Sequence, residues 1–267
     1  MRRRPAWSVS AAAVSLLLAG SLLAQDNYQF SDPNVQDIFR YARMAVGGGA
    51  VSKLKALEFK GTSKVEMNGF LIDCKVDIKI LLPDYYLRVD AAPADAKLAG
   101  YAGKTILSAI RSGDHLTLPP DNLTSAILKN ERARLARFLL GTVTYVTPDV
   151  SMVFHSSGLN VDMVDPRVKA RTSATAEGRG EPNIADITSR DGFSARLTVD
   201  ASDKWPAKLQ YPGSPAEETM TFKDRREVSG LKIPFRVTTA AGGRVIDDLI
   251  FDQVLVNPEI GKGDFKR

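Results

Sequence analysis

The sequence predicts a mainly β protein built on one curved antiparallel sheet, with a few helices covering its concave face. Three observations carry this expectation. Hydrophobicity alternates with a period of two through residues 57–67 and again through 72–82, as in strands with one buried and one watered face. Asn68-Gly69 stands between the two runs, the dipeptide best suited to a two-residue hairpin turn. From about Val150 onward, short strand-like runs recur with turns such as Asp191-Gly192 and Gly242-Gly243 between them, which indicates antiparallel rather than parallel pairing.

The chain begins with Arg2, Arg3 and Arg4, an uncharged run over 11–23, and Ala24 before Gln25. Basic, apolar and small residues in that order form the pattern of a cleaved secretory leader. The apolar run is shorter than the ~20 residues a membrane-spanning helix needs. Leu18-Ala19-Gly20 is followed by Ser21, where a lipid-anchored protein would carry a cysteine. The expectation is therefore a leader at 1–24 and a single domain at 25–267, exported to the periplasm without a lipid anchor.

The next element is a helix. Asp32 can cap it, Pro33 suits its first turn, and Val35, Ile38, Phe39, Ala42 and Val46 fall on one face. Gly47-Gly48-Gly49 stops it, and a short helical stretch at 51–55 follows. In the first strand Leu57, Phe59, Gly61, Ser63, Val65 and Met67 share a face, opposite Glu58, Lys60, Thr62, Lys64 and Glu66. In the second, Ile72, Cys74, Val76, Ile78, Ile80 and Leu82 oppose Asp73, Lys75, Asp77 and Lys79. Pro83-Asp84 turns into a third strand at 85–90. Residues 91–103, small and mixed, read as a loop. Strands at 105–111 and 115–118 pair across Ser112-Gly113-Asp114. Pro119-Pro120-Asp121 opens a long helix at 123–140. Its apolar stripe is Leu123, Ile127, Leu128, Leu135, Phe138 and Leu139, and Lys129, Arg132, Arg134 and Arg137 read as its solvated side, the alternative being contact with anionic lipid head groups. The remaining strands are expected at 151–155, 168–176, 183–189, 193–200, 207–211, 217–223, 233–239 and 244–256.

Composition narrows the function classes. Of the formal charge of +5, three positive charges belong to the leader arginines. No Lys/Arg run marks a nucleic-acid surface, and a single cysteine forms no internal disulfide. Stability must come from buried apolar surface.

Ten to twelve strands of one sheet curl. Strands lie ~4.8 Å apart and a helix is ~10 Å wide, so two helices cover about four strands. The remaining apolar face must close on itself, meet a partner or hold an apolar ligand. Acyl chains suit such a space, because burial is worth about 0.8 kcal/mol per CH₂. The candidate lining is Leu57, Phe59, Val65, Met67, Ile72, Val76 and Ile78 of the hairpin, with Ile127, Leu135 and Phe138 of the long helix.

Two stretches add a resemblance. One is Asp191-Gly192-Phe193-Ser194-Ala195-Arg196-Leu197-Thr198-Val199-Asp200 with Trp205-Pro206-Ala207-Lys208-Leu209. The other is Val228-Ser229-Gly230-Leu231-Lys232-Ile233-Pro234, then Gly243, Val256-Asn257-Pro258 and Phe265. Together with the Gly-rich helix end before Leu54, Leu57 and Gly61, this order resembles the outer-membrane lipoprotein carriers (LolA/LolB-like). The resemblance implies an incomplete, half-open antiparallel barrel with helices over its concave face. It also implies binding of lipid or lipoprotein acyl chains between them, with a membrane-associated donor or acceptor protein as partner. It transfers no binding residue.

Residues with catalytic potential are sparse. His115 and His155 are far apart in sequence without Cys or Glu neighbours at metal spacing, and no Gly-x-Ser-x-Gly elbow supports a hydrolase. Cys74 falls on an apolar face and reads as a small hydrophobe. Trp205 before Pro206 reads as packing a turn. Asp73, Asp77, Asp247, Asp248 and Asp252 read as outward charge that guards the sheet against aggregation. The sequence thus points to a protein that is not an enzyme, uses no cofactor and binds no metal. Its expected role is to hold or carry acyl chains. The alternative is a non-catalytic periplasmic sensor or interaction module of the same fold with a filled cavity.

Overall fold

A computed structural model describes residues 28–266 apart from 32, 68, 149–151, 157–182 and 214. The expected leader at 1–24, the expected strand at 168–176 and the capping residue Asp32 lie outside the described residues.

The chain runs β1 (Tyr28–Phe30), α1 (Pro33–Val46), α2 (Gly49–Ser52), β2 (Ala56–Met67), β3 (Phe70–Leu81), β4 (Tyr85–Ala91) and β5 (Asp95–Ala102). It continues through β6 (Thr105–Ile106), β7 (Ala109–Ser112), β8 (His115–Thr117), α3 (Thr124–Val143) and β9 (Met152–Ser156). The last six strands are β10 (Asn183–Ser189), β11 (Ser194–Val199), β12 (Pro206–Tyr211), β13 (Glu218–Val228), β14 (Leu231–Ala241) and β15 (Arg244–Val256). All fifteen join one sheet in the order β1-β9-β10-β11-β12-β13-β14-β15-β2-β3-β4-β5-β7-β8, with β6 also on β5. Among the described residues the ends of that order do not pair, so the sheet stays open. Neighbours are antiparallel, except that β1 lies parallel to β9.

The hairpin expected across Asn68-Gly69 forms. Its register runs from Ala56 opposite Leu81 to Met67 opposite Phe70, and the alternation holds, with Leu57, Phe59, Val76 and Ile78 buried on one face. In α1 the expected stripe is the buried one: Val35, Ile38, Phe39, Ala42 and Val46. Burying each larger apolar side chain contributes about 1.5–3 kcal/mol.

Two aromatic clusters fix the helices to the sheet. Phe39 of α1 meets Phe154 of β9 with centroids 4.6 Å apart, and Tyr28 and Phe30 of β1 pack edge-on and tilted around them. Phe138 of α3 meets Phe59 of β2 at 5.2 Å, and Phe59 meets Phe251 of β15 at 4.9 Å. The last two turns of α3 are buried on every side, from Leu135 to Val143 apart from a half-buried Arg137. Thr144 ends the helix in the left-handed conformation, its N–H donating to the Leu140 carbonyl.

The sheet is strongly curved. Arg132 lies over the Tyr101 ring of β5 and Arg137 over the Tyr211 ring of β12. These strands are seven steps apart in the sheet order, about 34 Å if the sheet were flat. The two arginines are separated by only about 7.5 Å along the helix axis. Their side chains reach both strands only because the sheet wraps around α3.

Several expectations are corrected. Residues 91–103 are not a loop: Asp95–Ala102 pair along β4. Its alanines and glycine give a poor strand signal, but Gly100 is required there, since a Cβ would stand 2.1 Å from the Tyr86 carbonyl oxygen. Tyr28–Phe30 form a strand that three residues cannot announce by periodicity. The short helix is Gly49–Ser52 rather than 51–55. A separate small cluster of Leu87, Leu107 and Phe265 lies beneath the C-terminal tail.

Gly141 sets how closely α3 approaches β13, since a Cβ there would fall 1.8 Å from the buried Phe222 ring. In an open helix Gly→Ala stabilises by about 1 kcal/mol. Here Gly141→Ala is expected to destabilise by about 1–3 kcal/mol through overpacking. Urea unfolding of Gly141→Ala and of the double variant with Phe222→Leu checks this, the second change recovering part of the loss.

Candidate ligand cleft

The inner face of the sheet is closed where the aromatic clusters hold α1 and the end of α3, and open beside the first half of α3. A cleft of about 1260 Å³ lies there, between residues 124–137 of the helix and the segments carrying Ser189, Phe193, Tyr211 and Met220. A smaller cleft of about 360 Å³ adjoins it on the inner face, and Arg134, Tyr211, Glu218 and Met220 line both.

The walls of the larger cleft mix apolar and charged groups. Leu128, Phe193 and Met220 are among the apolar ones. Five basic residues, Lys104, Lys129, Arg132, Arg134 and Arg137, face three acidic ones, Glu131, Asp191 and Glu218. The sequence reading of the α3 arginines as a solvated outer side is corrected: the curved sheet comes round to meet them. Arg132 donates to the Gly103 carbonyl at 3.0 Å. Arg134 is held loosely by Glu131 at 3.6 Å, and 42% of its side chain remains accessible. Burial opposes the charge of Arg134, yet Glu131 outweighs this and holds its pKa above the ordinary value. Arg137 lies 4.1 Å over the Tyr211 ring and 5.3 Å from Phe193. Burial pulls its pKa down despite Tyr211 and Glu218.

The smaller cleft holds a buried ion cluster. Arg88 of β4 donates to Asp90 from Nε (2.8 Å) and Nη2 (2.9 Å), and to Asp247 of β15 from Nη1 (2.6 Å) and Nη2 (2.9 Å). The Ser63 hydroxyl donates to Asp90 at 2.7 Å. Burial disfavours the Arg88 charge, but Asp247 and Asp90 reverse this and raise its pKa well above normal. Asp247, read from sequence as outward, is thus turned inward. Nearby, burial lowers the Lys97 pKa, and Arg134 and Arg88 repel it further. Burial pushes the Tyr86 phenol up to about 12.

The expected lining residues divide. Val65, Ile78 and Phe138 border the smaller cleft. Leu57, Phe59, Val76 and Leu135 do not line either of these clefts, because they are sealed in the core at 0–3% exposure. Ile127 is half-buried against that core. Ile72 is half-buried towards the open end of β3, and Met67 ends β2. The sequence marks Arg134 and Arg137 only as part of the basic side of the long helix; the structure places both in the wall of the larger cleft.

The remaining candidates fall elsewhere. His155 pairs with the Thr188 hydroxyl at 3.0 Å, while His115 sits on β8 at the far end of the strand order. Among the described residues, no group of three or more His, Cys, Asp or Glu is placed to hold a metal ion. Burial raises the Cys74 thiol pKa, as suits a packed hydrophobe. Trp205 is buried beside the turn that Asp200 and Asp203 brace. Among the described residues, no helix is long and apolar enough to cross a membrane.

Comparison with known proteins agrees with this architecture. No protein-family model matches the sequence, and no curated protein matches it at a significant level. Among solved structures, the chain is similar to a DUF1329 family protein from Desulfovibrio piger, with a TM-score of 0.51 at 8% identity over 88% of this chain and 98% of that one. It is also similar to a putative outer membrane lipoprotein-sorting protein domain from Vibrio parahaemolyticus, with a TM-score of 0.48, 11% identity, and 87% and 97% of the two chains covered. A LolA superfamily protein from Nitrosomonas europaea gives a TM-score of 0.44 at 12% identity, with the same coverage. At these identities the likeness is one of fold. The mainly β architecture expected from the sequence, one large antiparallel sheet not closed into a barrel with helices over its inner face, is the one found.

Two outcomes follow from the charges. Arg88→Met leaves Asp90 and Asp247 unpaired and is expected to cost about 3–5 kcal/mol of stability. Replacing Asp90 and Asp247 by apolar residues as well restores most of it, as chemical denaturation would measure. On the other face, burial raises the Asp248 pKa, but hydrogen bonds from Arg236 (2.9 and 3.1 Å) and Thr238 (2.7 Å) outweigh this and hold it below the usual range. A depressed carboxylate stabilises the fold above its unfolded pKa of about 3.9, and that stability is lost as pH falls through the folded value. Asp248→Asn is expected to lower Tm at pH 7, with the gap to wild type closing towards about pH 2.

Proposed function

We propose that this chain is an exported, non-catalytic binding protein that holds the acyl portion of a lipid or lipoprotein in the cleft beside α3. It consists of a cleaved leader followed by one domain and works in the periplasm. The supporting observation is the cleft of about 1260 Å³ on the inner face of an open sheet. It exceeds the ~300–1,000 Å³ of ordinary small-molecule pockets. Leu128, Phe193 and Met220 provide apolar contact, while the charged groups of α3 suit a polar end. The site is therefore that of an amphiphile rather than a pure hydrocarbon. Export is supported by the order of basic, apolar and small residues in 2–24. A membrane-associated donor or acceptor protein would complete a carrier cycle.

A second reading keeps the fold and gives it a sensor or interaction role. It is favoured by the sealed packing under α1 and the end of α3, and by Phe70 and Leu71 at the β2–β3 tip, 75% and 47% exposed. On this reading a stable protein partner co-purifies and lipid does not.

The deciding experiment is solvent extraction of the protein purified from the periplasm, followed by mass spectrometry, with titration of a fluorescent fatty acid. The extract is expected to contain lipid, and Leu128→Asp is expected to weaken fatty-acid binding about tenfold or more, from the lost burial of one apolar side chain. A lipid-free extract with no fatty-acid binding overturns the proposal.

A further inference from the structure

We propose that the α3 cleft recognises an oxyanionic group, gripped by Arg134 and Arg137, so that the amphiphile it selects is an anionic one. The acyl part of this statement rests on the binding function proposed above; the anion part stands on the charges themselves.

Arg134 and Arg137 are three residues apart on α3, hence neighbours on one helix face, and both line the cleft. Neither makes a close ion pair among the described residues. The contact of Arg134 with Glu131 spans 3.6 Å, longer than the 2.7–2.9 Å of a charge-assisted hydrogen bond. The Nε of Arg137 is buried and, among the described residues, has no hydrogen-bond acceptor. A buried donor left unmet is costly, and a guanidinium placed for packing alone would leave that cost standing. An oxyanion drawn to the guanidinium offsets the cost of burying its charge. The Tyr211 ring lies against the Arg137 guanidinium and limits its motion, so less freedom is lost on binding.

The surroundings point the same way. Lys97 beside the smaller cleft and Arg137 both have pKa values lowered chiefly by burial. Five basic side chains line the larger cleft against three acidic ones. Glu131, Asp191 and Glu218 oppose an anion, but they are outnumbered. A guanidinium pair of this kind suits the paired oxygens of a phosphate or carboxylate. Free phosphate and a lipid head group share that chemistry.

The test is calorimetric titration of the full mature protein with three probes. These are myristoyl lysophosphatidylglycerol, uncharged monomyristoylglycerol and inorganic phosphate, the lipids below their aggregation concentrations. Wild type is expected to bind the anionic lipid about tenfold more tightly than the uncharged one, the scale of one charge-assisted contact. Added salt should reduce the preference. Arg137→Gln and Arg134→Gln should each weaken the anionic lipid and so abolish the preference, and Arg137→Lys should retain part of it. The accessible Arg134 keeps the test valid if Arg137→Gln destabilises the fold. Equal binding of both lipids, unchanged in the variants, overturns the anion site and leaves the acyl-binding function intact. Arginine-dependent binding of phosphate with neither lipid bound supports the anion site and overturns the acyl one. Binding of none of the three overturns both.

Discussion

The organising constraint is a mismatch of width. An open sheet with fifteen strands among the described residues offers an inner face far broader than α1 and α3 can cover, since each helix spans roughly two strand spacings. The protein meets this by bending. The sheet wraps so far around α3 that side chains on neighbouring turns of the helix reach β5 and β12. Curvature reduces the uncovered area without removing it. What remains is the cleft beside the first half of α3.

Where the inner face is closed, the closure is aromatic. Phe39 against Phe154 holds α1, and Phe138 against Phe59 and Phe251 holds α3. These rings bury large areas at defined geometry, so the helices have fixed seats and the gap between them a fixed shape. The 1.8 Å that would separate a Gly141 Cβ from Phe222 marks how tightly one end of α3 is seated. Its other end, with Leu123 and Lys129 exposed, is left to border open space.

Charge on the inner face gives the cleft its character. Arg88 makes four hydrogen bonds to two aspartates, and a buried cluster of three charges is tolerated because its members are paired so closely. Arg134 and Arg137 lie on the same side of the sheet without equivalent partners. The contrast between a closed ion cluster and an open pair of guanidiniums separates what maintains the fold from what is left for a ligand.

The sequence by itself determined the strands that alternate, the β2–β3 register, the buried face of α1 and the burial of Trp205. In each of these the deciding contacts come from residues close in the chain: a two-residue turn sets a register, and a 3.6-residue period sets a helix face. Only the tertiary structure decided that 95–102 form a strand, that Tyr28–Phe30 add in parallel to β9, and that Asp247 points inward. It likewise decided that Leu57, Phe59, Val76 and Leu135 are sealed while Arg134 and Arg137 face open space. Those outcomes depend on which strands the curvature brings together across the inner face. Strands seven positions apart in a sheet leave no periodic trace in the chain that connects them.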